Sequence, residues 1–125
     1  MEISACSLFR GIPAGELTAL LDQASAREAR FQKGDLLLRR GEVTGRLGLV
    51  LEGTVHIIRE DFWGNRSIVG LAGPGEVFAE SYALAGEPRS VSVLAASDGA
   101  ALFLDARHLT DARLTDNLLS LLARK

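Results

Sequence analysis

Between Lys33 and Leu104 the chain is broken into short aliphatic runs, each closed by a glycine-bearing turn, and no other feature restricts its fold as much. The runs are Leu36-Leu37-Leu38, Leu47 to Leu51, Thr54 to Arg59, Ser67 to Leu71, Val91 to Leu94 and Ala100 to Leu104. Between and around them stand Lys33-Gly34-Asp35, Arg40-Gly41-Glu42, Glu52-Gly53, Trp63-Gly64-Asn65, Gly73-Pro74-Gly75 and Ser97-Asp98-Gly99. Short runs at spacings of roughly 8–12 residues read as strands of a sandwich, jelly roll or closed roll, because a parallel α/β fold would interleave them with helices. Thirteen glycines in 125 residues exceed a usual share of about 7%, and turns of this kind account for the excess. Thr54-Val55-His56-Ile57-Ile58, followed by Gly64-Asn65 and Ser67-Ile68-Val69, reads as one hairpin, with Val55 and Ile57 on one face and His56 and Ile58 on the other.

Helical periodicity flanks this region. Leu8, Phe9, Ile12, Leu17, Leu20 and Leu21 recur at helical spacing, with Pro13 suited to a first turn, so Leu8 to Leu21 is one short amphipathic helix or two fragments. After Asp105, a candidate N-cap, Ala106 to Leu114 reads as helix or turn. Thr115 and Asp116 are placed to cap a last helix whose Leu118, Leu119, Leu121 and Leu122 form an apolar stripe, with Arg124 and Lys125 at the end where cations suit the helix dipole. A helix of about ten residues is marginal alone, so its stripe is expected to pack on the strands or on another subunit. It ends without a glycine cap or proline, and the expectation is that the natural polypeptide continues past Lys125.

Composition excludes several classes of function. The 125 residues suit one domain with a single core, and 47% hydrophobic with 24% charged residues is an ordinary globular balance. Fourteen basic against sixteen acidic residues give a net charge of -2, so the broad positive field of a nucleic-acid-binding surface is missing. A single cysteine, Cys6, excludes an internal disulfide, a four-thiolate zinc site and a cysteine-ligated iron–sulfur cluster within the chain. The N-terminus lacks a basic segment followed by a long apolar run, and no stretch approaches the roughly 20 apolar residues that span a bilayer. A cytoplasmic protein without a membrane partner is expected.

Chemistry concentrates in Pro74-Gly75-Glu76-Val77-Phe78-Ala79-Glu80-Ser81, Tyr82 to Glu87, and Pro88-Arg89-Ser90-Val91-Ser92-Val93. A tight turn and a carboxylate lead into a short helix-like segment, which ends in an arginine and a serine before a strand. A short helix start offers free N–H groups to an anion, Arg89 a planar bidentate donor, and Ser90 a hydroxyl. Glu80, acceptor-only when ionised, can take hydrogen bonds from a sugar hydroxyl beside that anion. Charge-assisted bonds of this kind contribute roughly 1.5–3 kcal/mol each, enough to orient a small ligand. The plain alternative is an ion pair between Glu80 and Arg89 across a turn.

These residues fall in a family pattern. The sequence resembles the cyclic-nucleotide-binding domain of the Crp/Fnr family of bacterial transcription regulators over nearly its full length. Ser7-Leu8-Phe9-Arg10-Gly11-Ile12, with Glu16-Leu17 and Leu20-Leu21, is similar to the family's N-terminal helix. Phe31 to Asp35 with Gly41-Glu42 is similar to its first turns, and Leu49 to Val55 to its early hairpin. Leu71 through Glu80 with Arg89-Ser90 is similar to its phosphate-binding cassette. The resemblance implies a mainly β fold, an antiparallel β-roll of jelly-roll type with flanking helices. In that arrangement residues 1–28 are an N-terminal helical segment, 29–105 the roll and 106–125 C-terminal helices beginning a dimerisation helix, all one domain.

The same resemblance implies a small anionic effector, with cAMP and cGMP as candidates, bound by Arg89 at the phosphate, Ser90 through its hydroxyl and Glu80 at the ribose 2'-hydroxyl. Ala79 and Ser81, flanking Glu80, complete the candidate set. Two positions depart from the family: its cassette glycine is Ala79 here, and the small alanine after arginine-serine is Val91. A methyl at 79 can block the close backbone approach to a phosphate that glycine permits. The resemblance further implies a homodimer in the full-length protein, DNA contact only through a helix-turn-helix domain that this chain lacks, and no enzymatic activity. The other reading is a degenerate roll that serves only as a dimerisation or protein-interaction module.

Other constellations are weaker. A metal-dependent jelly-roll enzyme would need clustered His and Glu ligands, whereas the only histidines, His56 and His108, lie on different elements with no close partner spacing. Cys6 and His56 are poor candidates for haem ligation. No nucleophile elbow, P-loop or metalloprotease spacing occurs. Phe62-Trp63 at the hairpin tip is either an exposed recognition patch or, as the favoured expectation, a tip packed over its own roll.

Overall fold

A computed structural model describes residues 6–41, 45–79, 91–108 and 111–123. Eight strands form two antiparallel four-stranded sheets. Sheet 1 has the order β1 (Arg27–Phe31), β8 (Gly99–Asp105), β3 (Arg46–Glu52), β6 (Val77–Phe78), and sheet 2 the order β2 (Leu36–Leu38), β7 (Ser92–Ala95), β4 (Val55–Glu60), β5 (Arg66–Ala72). The expected mainly β roll is therefore present, and all six aliphatic runs are strands within a residue or two of their expected limits.

Three layers result. Phe31, Val50, Phe78, Ala101 and Phe103 of sheet 1 meet Leu38, Val55, Ala72, Val93 and Ala95 of sheet 2 in one apolar core. Leu47, Leu49, Leu51, Leu102 and Leu104 point the other way, into a second core closed by helical segments. β3 and β8 are consequently buried on both faces, which is why they read as unbroken aliphatic runs rather than alternating ones. Where the β3–β4 and β7–β8 turns cross, Gly99 is required: a Cβ there would overlap the Glu52 carbonyl.

The helical flanks differ in detail from the expectation. Leu8 to Leu21 is two pieces, a 3-10 turn at Ser7–Phe9 and helix α1 (Ala14–Gln23), with Pro13 at its N-cap. Strand β1 starts at Arg27, inside the stretch expected to be helical. A second 3-10 turn follows β8 at Ala106–His108, where the Asp105 carboxylate accepts the Arg107 N–H at 2.9 Å as a cap would. The last helix, α2 (Ala112–Ala123), begins earlier than Thr115 and Asp116, which lie inside it. Its cap is Asp111, whose Oδ1 accepts the Arg113 N–H at 2.9 Å. Leu114 and Leu118 of α2 are buried and Leu121 packs beside them, whereas Leu119 is 54% exposed. The leucine stripe is thus divided between the molecule's own core and solvent. Asn117 Nδ2 donates to the carbonyls of Leu8 at 2.8 Å and Arg10 at 2.9 Å, fixing α2 against the N-terminal 3-10 turn.

The β4–β5 hairpin keeps the expected faces. Val55 and Ile57 pack on the core between the sheets, and Ile58 lies opposite. A bulge shifts the register so that Ile57 faces Gly70 and Ile58 faces Ile68, leaving Val69 as the extra residue of β5. The hairpin tip does not pack over the roll. Phe62 and Trp63 are 93% and 81% exposed, in edge-to-face contact with each other.

Candidate functional site

The ends of the cassette are well determined by their neighbours. Glu76 closes the turn before β6: its N–H donates to the Gly73 carbonyl at 3.0 Å and its Oε1 accepts the Gly73 N–H at 2.9 Å. The Gly75 N–H donates to the Val50 carbonyl and the Val50 N–H to the Glu76 carbonyl, tying this turn to β3. β6 then pairs with β3, Gly48 facing Phe78. A Cβ at residue 48 would run into the Phe78 ring, so this glycine, in the middle of a strand rather than in a turn, makes room for an aromatic anchor. Phe78 is fully buried, edge-to-face with Phe103 at 6.0 Å between centroids.

Directly after that anchor, Ala79 has φ +64°, in the left-handed region. Residues other than glycine, asparagine and aspartate seldom adopt it, at a cost on the order of 1 kcal/mol. The alanine therefore keeps the kind of backbone turn that a glycine would take most easily. On the far side of the cassette Val91 is 5% exposed, its bulk turned into the protein, and β7 begins at Ser92.

Between these two ends lie Glu80, Ser81, Arg89 and Ser90, which fall outside the described residues; of the candidate set the structure describes Ala79 alone. It also describes the floor beside it. Leu37, Ile57 and Ala79 are half-buried and each packs against the core between the sheets, so that all three border one apolar layer, the shelf on which Ala79 rests. Leu37 and Ile57 were not among the candidate residues. The alternation in β4 indicates the inward face of Ile57, but only the packing of the two sheets shows that this face and Ala79 border the same core. Among the described residues no group of three or more His, Cys, Asp or Glu is arranged to hold a metal ion. His56 lies in β4, and His108 Nδ1 is 2.9 Å from the Ser25 hydroxyl.

The described residues thus define a class of fold, a roll of two antiparallel four-stranded sheets with flanking helices. The chain belongs to the cyclic nucleotide-binding domain family, whose profile matches residues 28–116. It is 32% identical over 123 residues to the cyclic AMP receptor protein of Thermus thermophilus, a match covering 94% of this chain and 56% of that protein. The crystal structure of the catabolite activator protein of Thermus thermophilus superposes with a TM-score of 0.81 at 28% identity, over 94% of this chain and 57% of that one. The N-terminal domain of a transcriptional regulator from Streptomyces coelicolor superposes with a TM-score of 0.75 at 25% identity, over 98% and 87%. The chain thus spans little more than half of the Thermus protein and most of the Streptomyces domain. No helix among the described residues is long and apolar enough to cross a membrane.

Proposed function

We propose that this chain is the effector-sensing domain of a Crp/Fnr-type transcription regulator and that it binds a small anion, with a cyclic nucleotide as the first candidate. In this reading Arg89 and Ser90 hold the phosphate, Glu80 the ribose 2'-hydroxyl, and the shelf of Leu37 and Ile57 receives the apolar part of the ligand, with Ala79 and Ser81 at its edge. The observation that carries the reading is the left-handed backbone of Ala79. Such a strained conformation persists where its surroundings impose it, and here those surroundings are the buried Phe78 anchor and the turn tied to β3.

The ligand acts on DNA binding by biasing helix packing, and the DNA-binding helix-turn-helix belongs to a part of the regulator outside this sequence. β6 supplies a route within the chain. Its two residues belong to different cores, Phe78 to the one between the sheets and Val77 to the one that also holds Leu114 and Leu118 of α2. A shift of the cassette that moves Phe78 must move Val77 with it, and Val77 lies in the layer on which α2 rests.

Calorimetric titration with cAMP, cGMP and related nucleotides, with Arg89→Ala as control, tests the binding step. Saturable heat for at least one nucleotide, weakened about tenfold or more in the variant, is the expected result, since a charge-assisted pair is worth roughly 1.5–3 kcal/mol. Absence of heat for every nucleotide, or equal binding by the variant, removes the nucleotide reading and leaves the roll as an interaction module.

A further inference from the structure

The outward face of sheet 2 carries a cavity of about 300 Å³, on the side of the sheet turned away from the inner core. Its floor is Leu36, Ile58 and Leu94; its rim is Arg39, Arg40 and Arg66 together with Glu60 and Ser92. The register explains the grouping. Leu36 faces Leu94 across β2 and β7, Ser92 faces Ile58 across β7 and β4, and Glu60 faces Arg66 across β4 and β5. Four strands thus bring together residues that lie up to 58 positions apart in sequence.

Three properties make this a built recess. Ile58 is only 9% exposed although it points away from both cores, as expected where leucines and the aliphatic stems of arginines cover a surface residue. The rim is cross-braced: the Arg40 N–H donates to Ser92 Oγ at 3.0 Å, Arg40 Nη1 to the Glu60 carbonyl at 3.3 Å, and Arg66 Nε to Glu60 Oε2 at 3.2 Å. Its described lining is rich in guanidinium groups, Arg39, Arg40 and Arg66, in a chain whose net charge is -2. A guanidinium carries five N–H donors, and the contacts just named engage one side-chain donor each of Arg40 and Arg66; the Ser92 hydroxyl, accepting from Arg40, keeps its own proton to donate.

We propose that this recess binds a small amphipathic anion, a carboxylate or phosphate monoester attached to one ring or a short alkyl body. The arginines match the planar oxygens of such a group and the leucine–isoleucine floor matches its body, while a volume near the lower end for ligand pockets excludes a whole dinucleotide. None of its lining residues is in the candidate set, and β7 links the recess to the inner core, presenting Val93 to that core and Ser92 and Leu94 to this recess.

Titration of the isotope-labelled protein with phenyl phosphate, followed by amide chemical shifts at constant ionic strength, tests the proposal. Saturable shifts centred on Arg40, Ile58, Ser92 and Leu94 are expected, with inorganic phosphate binding several-fold more weakly because it lacks the apolar body. R40Q/R66Q is expected to weaken phenyl phosphate by about tenfold or more. Should that variant lose its dispersed spectrum, R66Q alone, altered at an exposed strand position, carries the same expectation in smaller measure. Shifts that do not saturate, that centre on Ala79 and Val91 instead, or that are unchanged in the folded variant would overturn the proposal.

Discussion

Ala79 holds a backbone conformation that costs an L residue on the order of 1–2 kcal/mol. Glycine would adopt it without that penalty but would give up about 0.5–1 kcal/mol through its more flexible unfolded chain. Ala79→Gly is therefore expected to stabilise the domain by somewhat under 1 kcal/mol, a rise of a few degrees in Tm by calorimetric melting. A fall in Tm would mean that the methyl, half-buried on the inner core, contributes more by packing than its backbone costs. The sequence displays the substitution at 79 but not its consequence. Whether a methyl there obstructs a ligand or strains the chain depends on φ, and φ is set by the Phe78 anchor, which in turn depends on Gly48, thirty residues away. Gly48 falls inside the expected strand Leu47 to Leu51, but only the pairing of β3 with β6 shows that it gives way to a ring.

At the scale of elements, the junction of β8 with its 3-10 turn is fixed by one carboxylate. The Asp105 side chain accepts from Arg107 Nε at 3.0 Å and Nη2 at 2.7 Å as well as from its backbone N–H. These bonds, the guanidinium first, hold the carboxyl down to about 2, against a partial desolvation that pushes the other way. A depressed carboxyl stabilises the fold above its unfolded value near 3.9 and loses that contribution as pH falls toward 2. Between pH 5 and pH 2 the protein should lose on the order of 1–2 kcal/mol more unfolding free energy than Asp105→Asn, measured by urea titration at each pH. Parallel pH profiles would show that Asp105 adds nothing to the junction. Element boundaries here follow such local bonds, and this limits what periodicity alone reveals. α2 starts directly after Asp111 because that carboxylate takes the Arg113 N–H, and Leu114, the first leucine the helix buries, comes three residues after the cap. β1, whose Arg27, Glu28, Ala29 and Arg30 are all exposed, shows no alternation and exists by pairing with β8. β6 is two residues long and is defined only by its partner.

For the whole molecule the decisive fact is that sheet 1 lies between two apolar layers and sheet 2 beside one. The strands were legible in the sequence, but that Leu47 to Leu51 and Ala100 to Leu104 are buried on both faces emerges only from the layering. What stayed hidden was the grouping across strands that makes sites: the shelf of Leu37 and Ile57, and the recess of Arg39, Arg40 and Arg66, are products of register and topology. The same layering predicts an uneven distribution of local stability. Opening β3 or β8 exposes apolar side chains on both faces, leucines on one and Val50, Ala101 and Phe103 on the other, whereas β5, at the edge of sheet 2 and already exposing Ile68 and Leu71 at 56% and 62%, loses little. The bulge at Val69 weakens its ladder further. Native-state hydrogen exchange should therefore find the amides of Leu49 and Leu102 opening only with global unfolding, and those paired between β4 and β5 exchanging about a hundredfold faster or more. Equal protection in the two sheets would mean instead that the inner core couples them into one unit, so that a ligand beside Ala79 would tighten β5 as much as β3.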